Sequence, residues 1–517
     1  MSNETAIQDD ALAEEAIQAF AREAGLANVP VVRAQVGNRQ FIKFKVGKNA
    51  PLYTYALHRA QQAISEHNPF RGALGLDIST SKTFPSSLEA SALLTLLTRS
   101  TREVVSDTAD RGYSVPYIPF QNREDQQLAQ PASHIVRGRR GVGKSTLIRR
   151  AVEILAAAKA LVAVLDMQAY SSLSQEDLQY EVFQDVCLMF SESAARIAGA
   201  SASSEELQKL SDEVANRALE LPRIPPSLKR VLRKVTQAID GHAFLFLDDF
   251  HLIDRESQPE LLHNLHGGMK GANGWLKVAG LSSLLNTYSA ATGQGLQVPG
   301  DAQIIALDLT LENFEAAEGH LRTILGSFLR AVGYQVSAAV ISDSAFRRLV
   351  WATAGVPRDF LQMFARAVEH AQRNKHSSVT LSDVNIAIGE FGQQKMDDLS
   401  RDARNTAGTL KNFLGRLEEL CLDEAGVNAF LVKSEDSRER DLVRALSDLR
   451  MVHLIHQSIT PDRAGERYEA YIIDYSIFTG FRRRRNIQEM VPQEAQFKAS
   501  ELRALPKVSA GFIPPSN

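Results

Sequence analysis

The eight residues Gly138–Ser145, GRRGVGKS, restrict what this chain can fold into more than any other stretch. Three glycines let successive backbone N–H groups turn towards one centre, a shape that side chains would crowd. The apolar run SHIVRG leads into them and KSTLIRRAVEILAAA leads out, so a buried strand is expected to pass through a tight turn into a helix. That order aims the positive end of the helix at the turn. The spacing G-x-x-x-x-G-K-[ST] is that of a loop that cradles phosphate. Gly138, Arg139, Arg140, Gly141, Val142, Gly143, Lys144, Ser145 and Thr146 are therefore the expected nucleotide-holding set. Lys144 would reach the β- and γ-phosphates of ATP, and the Ser145 hydroxyl would ligate Mg²⁺. Of the arginines crowded here (137, 139, 140, 149 and 150), most are expected to meet solvent or acids, because backbone and Lys144 already serve a phosphate.

A phosphate loop needs a second part, a carboxylate at the end of a neighbouring strand. AFLFLDDF supplies two. Asp248 is read as the acid that holds the metal and Asp249 as the one that orients the attacking water. ALVAVLDM, GWLKVAGLSS and AQIIALDLT are three more apolar strands, alternating with helices, so the fold class is α/β with a parallel sheet. Ser174 and Asp177 open one of those helices, with Leu178, Val182, Val186 and Met189 on its buried face.

At 517 residues the chain exceeds one ordinary core. Residues 1–110 are a mixed region without recognisable chemistry: a helix near Ala11–Ala24, a strand QFIKFKV, and helices near Tyr53–Glu66 and Leu88–Ser106, separated by the loop-like HNPFRGALG and SKTFPSS. The α/β core is placed at 111–311 and a helical lid at 312–400, where Gly355 stops one helix and Pro357 starts the next. Over 405–485 come two helices and the strands MVHLIHQSIT and YEAYIIDYSIF, the shape of a winged helix. Residues 486–517 are expected to be a loose tail.

The net charge of −3 excludes a surface basic all over, while leaving local basic patches open. Cys187 and Cys421 have no partner at metal-ligand spacing and are expected to be buried thiols. The acidic start and the lack of a spanning apolar run point to a cytoplasmic chain without a membrane segment.

Together, the phosphate loop, the strand ending in two acids, the polar end of the next strand and GVPRDF in the lid resemble the AAA+ ATPases over about 130–400. The likeness is greatest to their origin-recognition and initiator-like branch and to the related STAND regulators. The resemblance implies that Ser282 or Ser283 contacts the γ-phosphate as sensor 1, and that Arg358 reports nucleotide state from the lid as sensor 2. Two features depart from that family. No lysine or arginine lies between Lys277 and Arg322, where its arginine finger usually sits, so Arg322 or Arg330 would have to replace it. QNREDQ (122–126 and its flank) stands too close to Gly138 to serve as the family's upstream box and is read as a coincidence.

In the winged helix, Leu442, Leu446 and Leu449 mark the buried side and turn Arg440, Arg444 and Ser447 outward, with Asp441 and Asp448 beside them. Such a helix could enter double-stranded DNA, with Arg463, Arg467 and Arg482–Arg485 on phosphates. The resulting expectation is a slow ATPase switch whose nucleotide state controls self-assembly, a protein partner or DNA engagement. A STAND-type regulator whose winged helix only packs, a helper ATPase of transposition and a scaffold that merely holds ATP are the alternatives.

Overall fold

The computed structural model describes residues 2–36, 39–46, 50–77, 83–101, 117–120, 122–197, 200–403, 406–435, 437–460, 466–479, 487, 489, 497–509 and 511–512. Arg463 and the Arg482–Arg485 cluster lie outside the described residues.

The chain starts with α1 (Ser2–Ala24), β1 (Val31–Val36), β2 (Arg39–Lys45), α2 (Ala50–Ala63), β3 (Leu74–Asp77) and α3 (Leu88–Thr101). β1 is antiparallel and β3 parallel to β2. β1 had no sequence counterpart, and β3 replaces the end of a stretch read as loop. At four residues β3 is too short to show a period. Phe20 of α1 stacks on Phe44 of β2 at 3.9 Å between ring centroids.

The core comprises α4 (Glu124–Leu128), β4 (His134–Arg137), α5 (Lys144–Ala157), β5 (Leu161–Asp166), α6 (Gln175–Ala195), α7 (Ser201–Ala215), α8 (Ile224–Ala238), β6 (Ala243–Asp248), α9 (Gln258–Met269), β7 (Gly274–Gly280), the small ribbon β8 (Tyr288–Ser289) and β9 (Gln294–Gly295), and β10 (Gln303–Ala306). Its five parallel strands lie in the order β10-β4-β7-β6-β5. Two clusters of buried side chains cover the two faces of this sheet. The central strands are buried over most of their length. The edge strands are not: Ile304 of β10 is exposed, and β5 alternates. An edge strand has a partner on one side only, so its apolar letters overstate its burial. On α6, Leu178, Val182 and Val186 point inward, but Met189 is exposed and Phe190 takes its place.

The lid is α10 (Phe314–Ala331), α11 (Asp343–Thr353), α12 (Pro357–Arg373) and α13 (Leu381–Asp402). Between α11 and α12, Gly355 has a φ of 78°, and a Cβ there would stand 3.0 Å from the Leu309 carbonyl oxygen. The turn therefore needs glycine. The N-terminal region docks on the lid: the Phe84 ring meets Tyr334 edge-on at 5.1 Å, and Gln372 donates to the Pro85 carbonyl at 2.8 Å.

The C-terminal module contains α14 (Ala407–Glu418), β11 (Ala429–Lys433), α15 (Arg438–Asp448), β12 (Val452–Ile459), β13 (Tyr468–Ile473), α16 (Tyr475–Phe478), α17 (Ala499–Arg503) and β14 (Lys507–Val508). Its sheet runs β12-β13-β11-β14. The last strand corrects the expected loose tail: Leu431 and Val432 pair in parallel with Lys507 and Val508. One apolar core joins the N-terminal region, lid and C-terminal module. Among the described residues no helix is long and apolar enough to cross a membrane.

Candidate functional site

Strand order brings the chemistry together. β7 lies between β4 and β6, so the phosphate loop, Ser282–Ser283 and Asp248–Asp249 all leave the same end of adjacent strands. The loop turns on Gly141 and Gly143, with φ of 80° and 107°. Gly143 caps α5, and a Cβ on it would meet the Phe120 ring at 3.3 Å. Phe120 in turn stacks against His320 of α10 at 5.8 Å.

Lys144 is buried, and its ammonium donates to the Gly138 and Arg139 carbonyls at 2.8 and 3.1 Å. Burial lowers its pKa, opposed by the charges of Asp249, Asp308, Asp248 and Asp448. Asp248 is pushed up to about 6 by burial and then by Asp249, while the Ser145 hydroxyl and the Asp249 N–H pull it back. A buried acid that resists ionisation beside a hydroxyl is a donor set suited to a hard divalent cation. Asp249 itself is partly exposed, and its backbone is left-handed at φ 50°. Aspartate tolerates that region better than most residues, and such strain concentrates at working sites. The positive-φ loop, the helix start above it and the Ser145–Asp248 pair together fit a magnesium nucleotide.

Arg358 begins the lid's second arm. Its N–H donates to the Gly141 carbonyl at 3.2 Å, and a Cβ on Gly141 would touch the Arg358 Cβ at 2.9 Å. The guanidinium has no hydrogen-bond or ion-pair partner among the described residues. Burial lowers its pKa, and Arg140 and Arg450 repel it. A crowded cation over a phosphate loop is ready for an anion. Arg322 and Arg330 are not brought here: Arg322 pairs with Glu318 at 3.0 Å and Arg330 bonds Ser327 at 2.9 Å, both on α10.

Arg139 does something its place in the loop did not suggest. Its guanidinium turns away from the cradle to Asp308 at 3.1 Å, the Leu309 carbonyl at 2.6 Å, the Ala354 carbonyl at 3.1 Å and His453 Nδ1 at 3.4 Å. It thereby joins core, lid and C-terminal module. Asp308 also accepts from the Arg139 N–H at 2.9 Å. His453 continues the chain of contacts, with Nε2 2.6 Å from Asp474. Asp474 pairs with Lys395, Lys395 with Asp359 at 3.3 Å, and Asp359 with Arg450, which also reaches Asp398 at 3.2 Å. These buried charges come from the lid and the C-terminal module, and sequence reading found none of them.

The winged-helix expectations need correcting here. On α15 it is Val443 with Leu446 and Leu449 that is buried, while Leu442 is only partly covered. Arg440 does not project freely: it bonds Glu469 of β13 at 2.6 Å, and Arg444 approaches the same carboxylate at 3.5 Å. Asp448 is buried against the phosphate loop. Its carbonyl accepts from the Arg140 N–H at 3.1 Å and its carboxylate from the Ser283 N–H at 2.6 Å. Ser282, the other sensor candidate, is exposed. Asn122 and Arg123 flank α4, whose Glu124 and Asp125 are buried.

The geometry around His453 assigns its tautomer: Nε2–H donates to Asp474, and Nδ1 accepts from Arg139. Burial lowers its pKa to about 4, with Lys395 and Arg139 adding to the effect and Asp474 opposing it. In the unfolded chain the imidazole titrates near 6.5. The unfolded state therefore binds a proton that the native state refuses, and stability rises with pH across this window. The contribution is complete above about pH 6.5 and fades towards about pH 4. Urea midpoints should fall between about pH 7.5 and about pH 5, and His453→Gln should flatten the difference. Equal slopes in wild type and variant would count against this assignment.

Residues 124–270 match the family model described as AAA ATPase domain. No curated protein matches the chain. Among solved structures, the Aeropyrum pernix ORC1 protein in complex with DNA is similar at 16% identity over 70% of this chain and 91% of that one, with a TM-score of 0.36. A Walker-type ATPase of Pyrococcus abyssi shares 13% identity over 70% and 98%, with a TM-score of 0.42. Cdc6p of Pyrobaculum aerophilum shares 15% over 70% and 92%, with a TM-score of 0.36. The family match spans the phosphate loop and both acids, Asp248 and Asp249.

Proposed function

We propose that the chain is an ATP-operated switch, in which nucleotide occupancy decides whether the C-terminal module stays folded over the site. The observation that carries this reading is the double hold on Asp448, by Arg140 of the phosphate loop and Ser283 beyond β7. A module fastened to both loop and sensor strand cannot be indifferent to what binds between them.

In this reading Gly138–Thr146 hold the phosphates with Lys144, and Ser145 and Asp248 hold Mg²⁺. Asp249 orients the attacking water, Arg358 stabilises charge on the γ-phosphate from the lid, and Ser282 or Ser283 senses it. Bound ATP with Mg²⁺ would supply the phosphoryl bond to be cleaved. With no cation between Lys277 and Arg322, hydrolysis would be slow and carried within one chain. A slow step suits a switch.

What the opened module engages has two readings. Duplex DNA would use Arg463, Arg467 and Arg482–Arg485. A protein surface or a second copy would meet a winged helix that serves as packing. The second is favoured by Arg440, which closes on Glu469 rather than facing outward, while Arg444 stays exposed.

Hydrogen exchange tests the switch directly. A slowly hydrolysed ATP analogue should speed exchange at the Arg140 amide, which the Asp448 carbonyl releases when the module leaves, and ADP should not. Asp249→Asn should bind ATP, lose turnover and hold that amide in the fast-exchanging state. Bound analogue with unchanged exchange at Arg140 would sink the reading. Salt-dependent duplex binding that appears only with the analogue would restore DNA as the target.

A further inference from the structure

We propose that the Asp448 carboxylate occupies the seat of the third phosphate, so that this residue sets the preference of the site between nucleoside di- and triphosphates. The proposal rests on the reading that this site binds ATP, and it adds a residue from outside the AAA ATPase domain to the determinants of ligand choice.

Position is the first argument. Asp448 is the last residue of α15, and its side chain enters between the phosphate loop and the end of β7. Ser283 follows the strand that separates Asp248 from the loop, so the carboxylate stands where loop, sensor strand and acid strand converge. Its carbonyl fixes the depth of insertion by accepting from Arg140.

The second argument is chemical likeness. The carboxylate accepts a backbone N–H at 2.6 Å, as a terminal phosphate oxygen would. Lys144 lies close enough to stabilise it. Burial raises its pKa, and Asp308 adds to the rise. The Lys144 ammonium spends two of its three donors on Gly138 and Arg139 carbonyls, which leaves one for an anion. Two anions cannot share the Ser283 N–H.

Third, the conflict is confined to one phosphate. The loop amides and the start of α5 serve the first two phosphates whether or not Asp448 is present. Only a third phosphate has to displace the carboxylate. A diphosphate is then compatible with the docked module, and a triphosphate has to drive α15 out.

Asp448→Asn removes the charge while keeping an acceptor for Ser283 N–H. Asp448→Ala removes both. The experiment is the affinity of the full-length chain for ADP and for a slowly hydrolysed ATP analogue, each with Mg²⁺, in wild type and both variants. The analogue should gain at least about tenfold in each variant, the scale of one like-charge contact lifted from a poorly solvated site. ADP should move by less than about threefold. Equal gains for the two nucleotides would make Asp448 a plain clasp and overturn the proposal. An unchanged ratio in both variants would also overturn it, yet analogue-induced exchange at Arg140 in wild type would leave the switch standing. If wild type and both variants bind neither nucleotide, switch and proposal fall together.

Discussion

Lys144→Ala should abolish ATP binding and leave the fold intact. The ammonium is buried in the loop, held within hydrogen-bonding distance of the Gly138 and Arg139 carbonyls. Its removal costs a charged hydrogen bond in a buried place, about 3 kcal/mol or more, which is over a hundredfold in affinity. The loop should keep its shape for reasons independent of Lys144. Gly141 and Gly143 set the turn, and Arg139 is tied separately to Asp308, Leu309 and Ala354. Fluorescent-nucleotide titration with a thermal melt on the same sample measures both halves. Affinity within about threefold of wild type would remove the phosphate-loop assignment.

Lys395→Met should cost about 3–5 kcal/mol of stability. Lys395 is fully buried between Asp359 and Asp474, themselves fully buried. Taking away the cation leaves two carboxylates with reduced compensation, and an unpaired buried charge is what makes such deletions expensive. Set against a typical total of about 5–15 kcal/mol, the loss should be conspicuous in a urea titration. Asp474→Asn in the same chain should recover part of it, because the charge left behind is halved. A double variant no better than the single one would assign the loss to packing, and a single variant within about 1 kcal/mol of wild type would remove the network from the stability of the docked state.

The phosphate loop and the lid turn were legible in sequence because both rest on backbone rules. Gly141, Gly143 and Gly355 occupy conformations that other residues resist, and Pro357 can only open a helix. The place of Asp248 and Asp249 at a strand end was legible because an apolar run ending in two acids is informative beside such a loop. The inner face of α15 was not. Periodicity separates apolar from polar positions, and it cannot tell a polar face turned to water from one turned to a polar site. Asp448 and Ser283 are 165 residues apart, with no local signal linking them. The same holds for His453 and Arg139, separated by 314 residues. Strands of two to four residues, β3 and β14 among them, give periodicity nothing to work on.

β14 carries a further consequence. Without it, β11 would be an edge of the C-terminal sheet, and its sequence AFLVK is a nearly all-apolar template for another chain. The two residues Lys507–Val508 cover that template with the shortest possible edge, led by a lysine over the Tyr468 ring. Under the proposed switch, in which the module leaves its docking site, the covered edge would make it safer against self-templating aggregation while it is free. The end of the chain works as a hem that keeps an exposed sheet from recruiting strands.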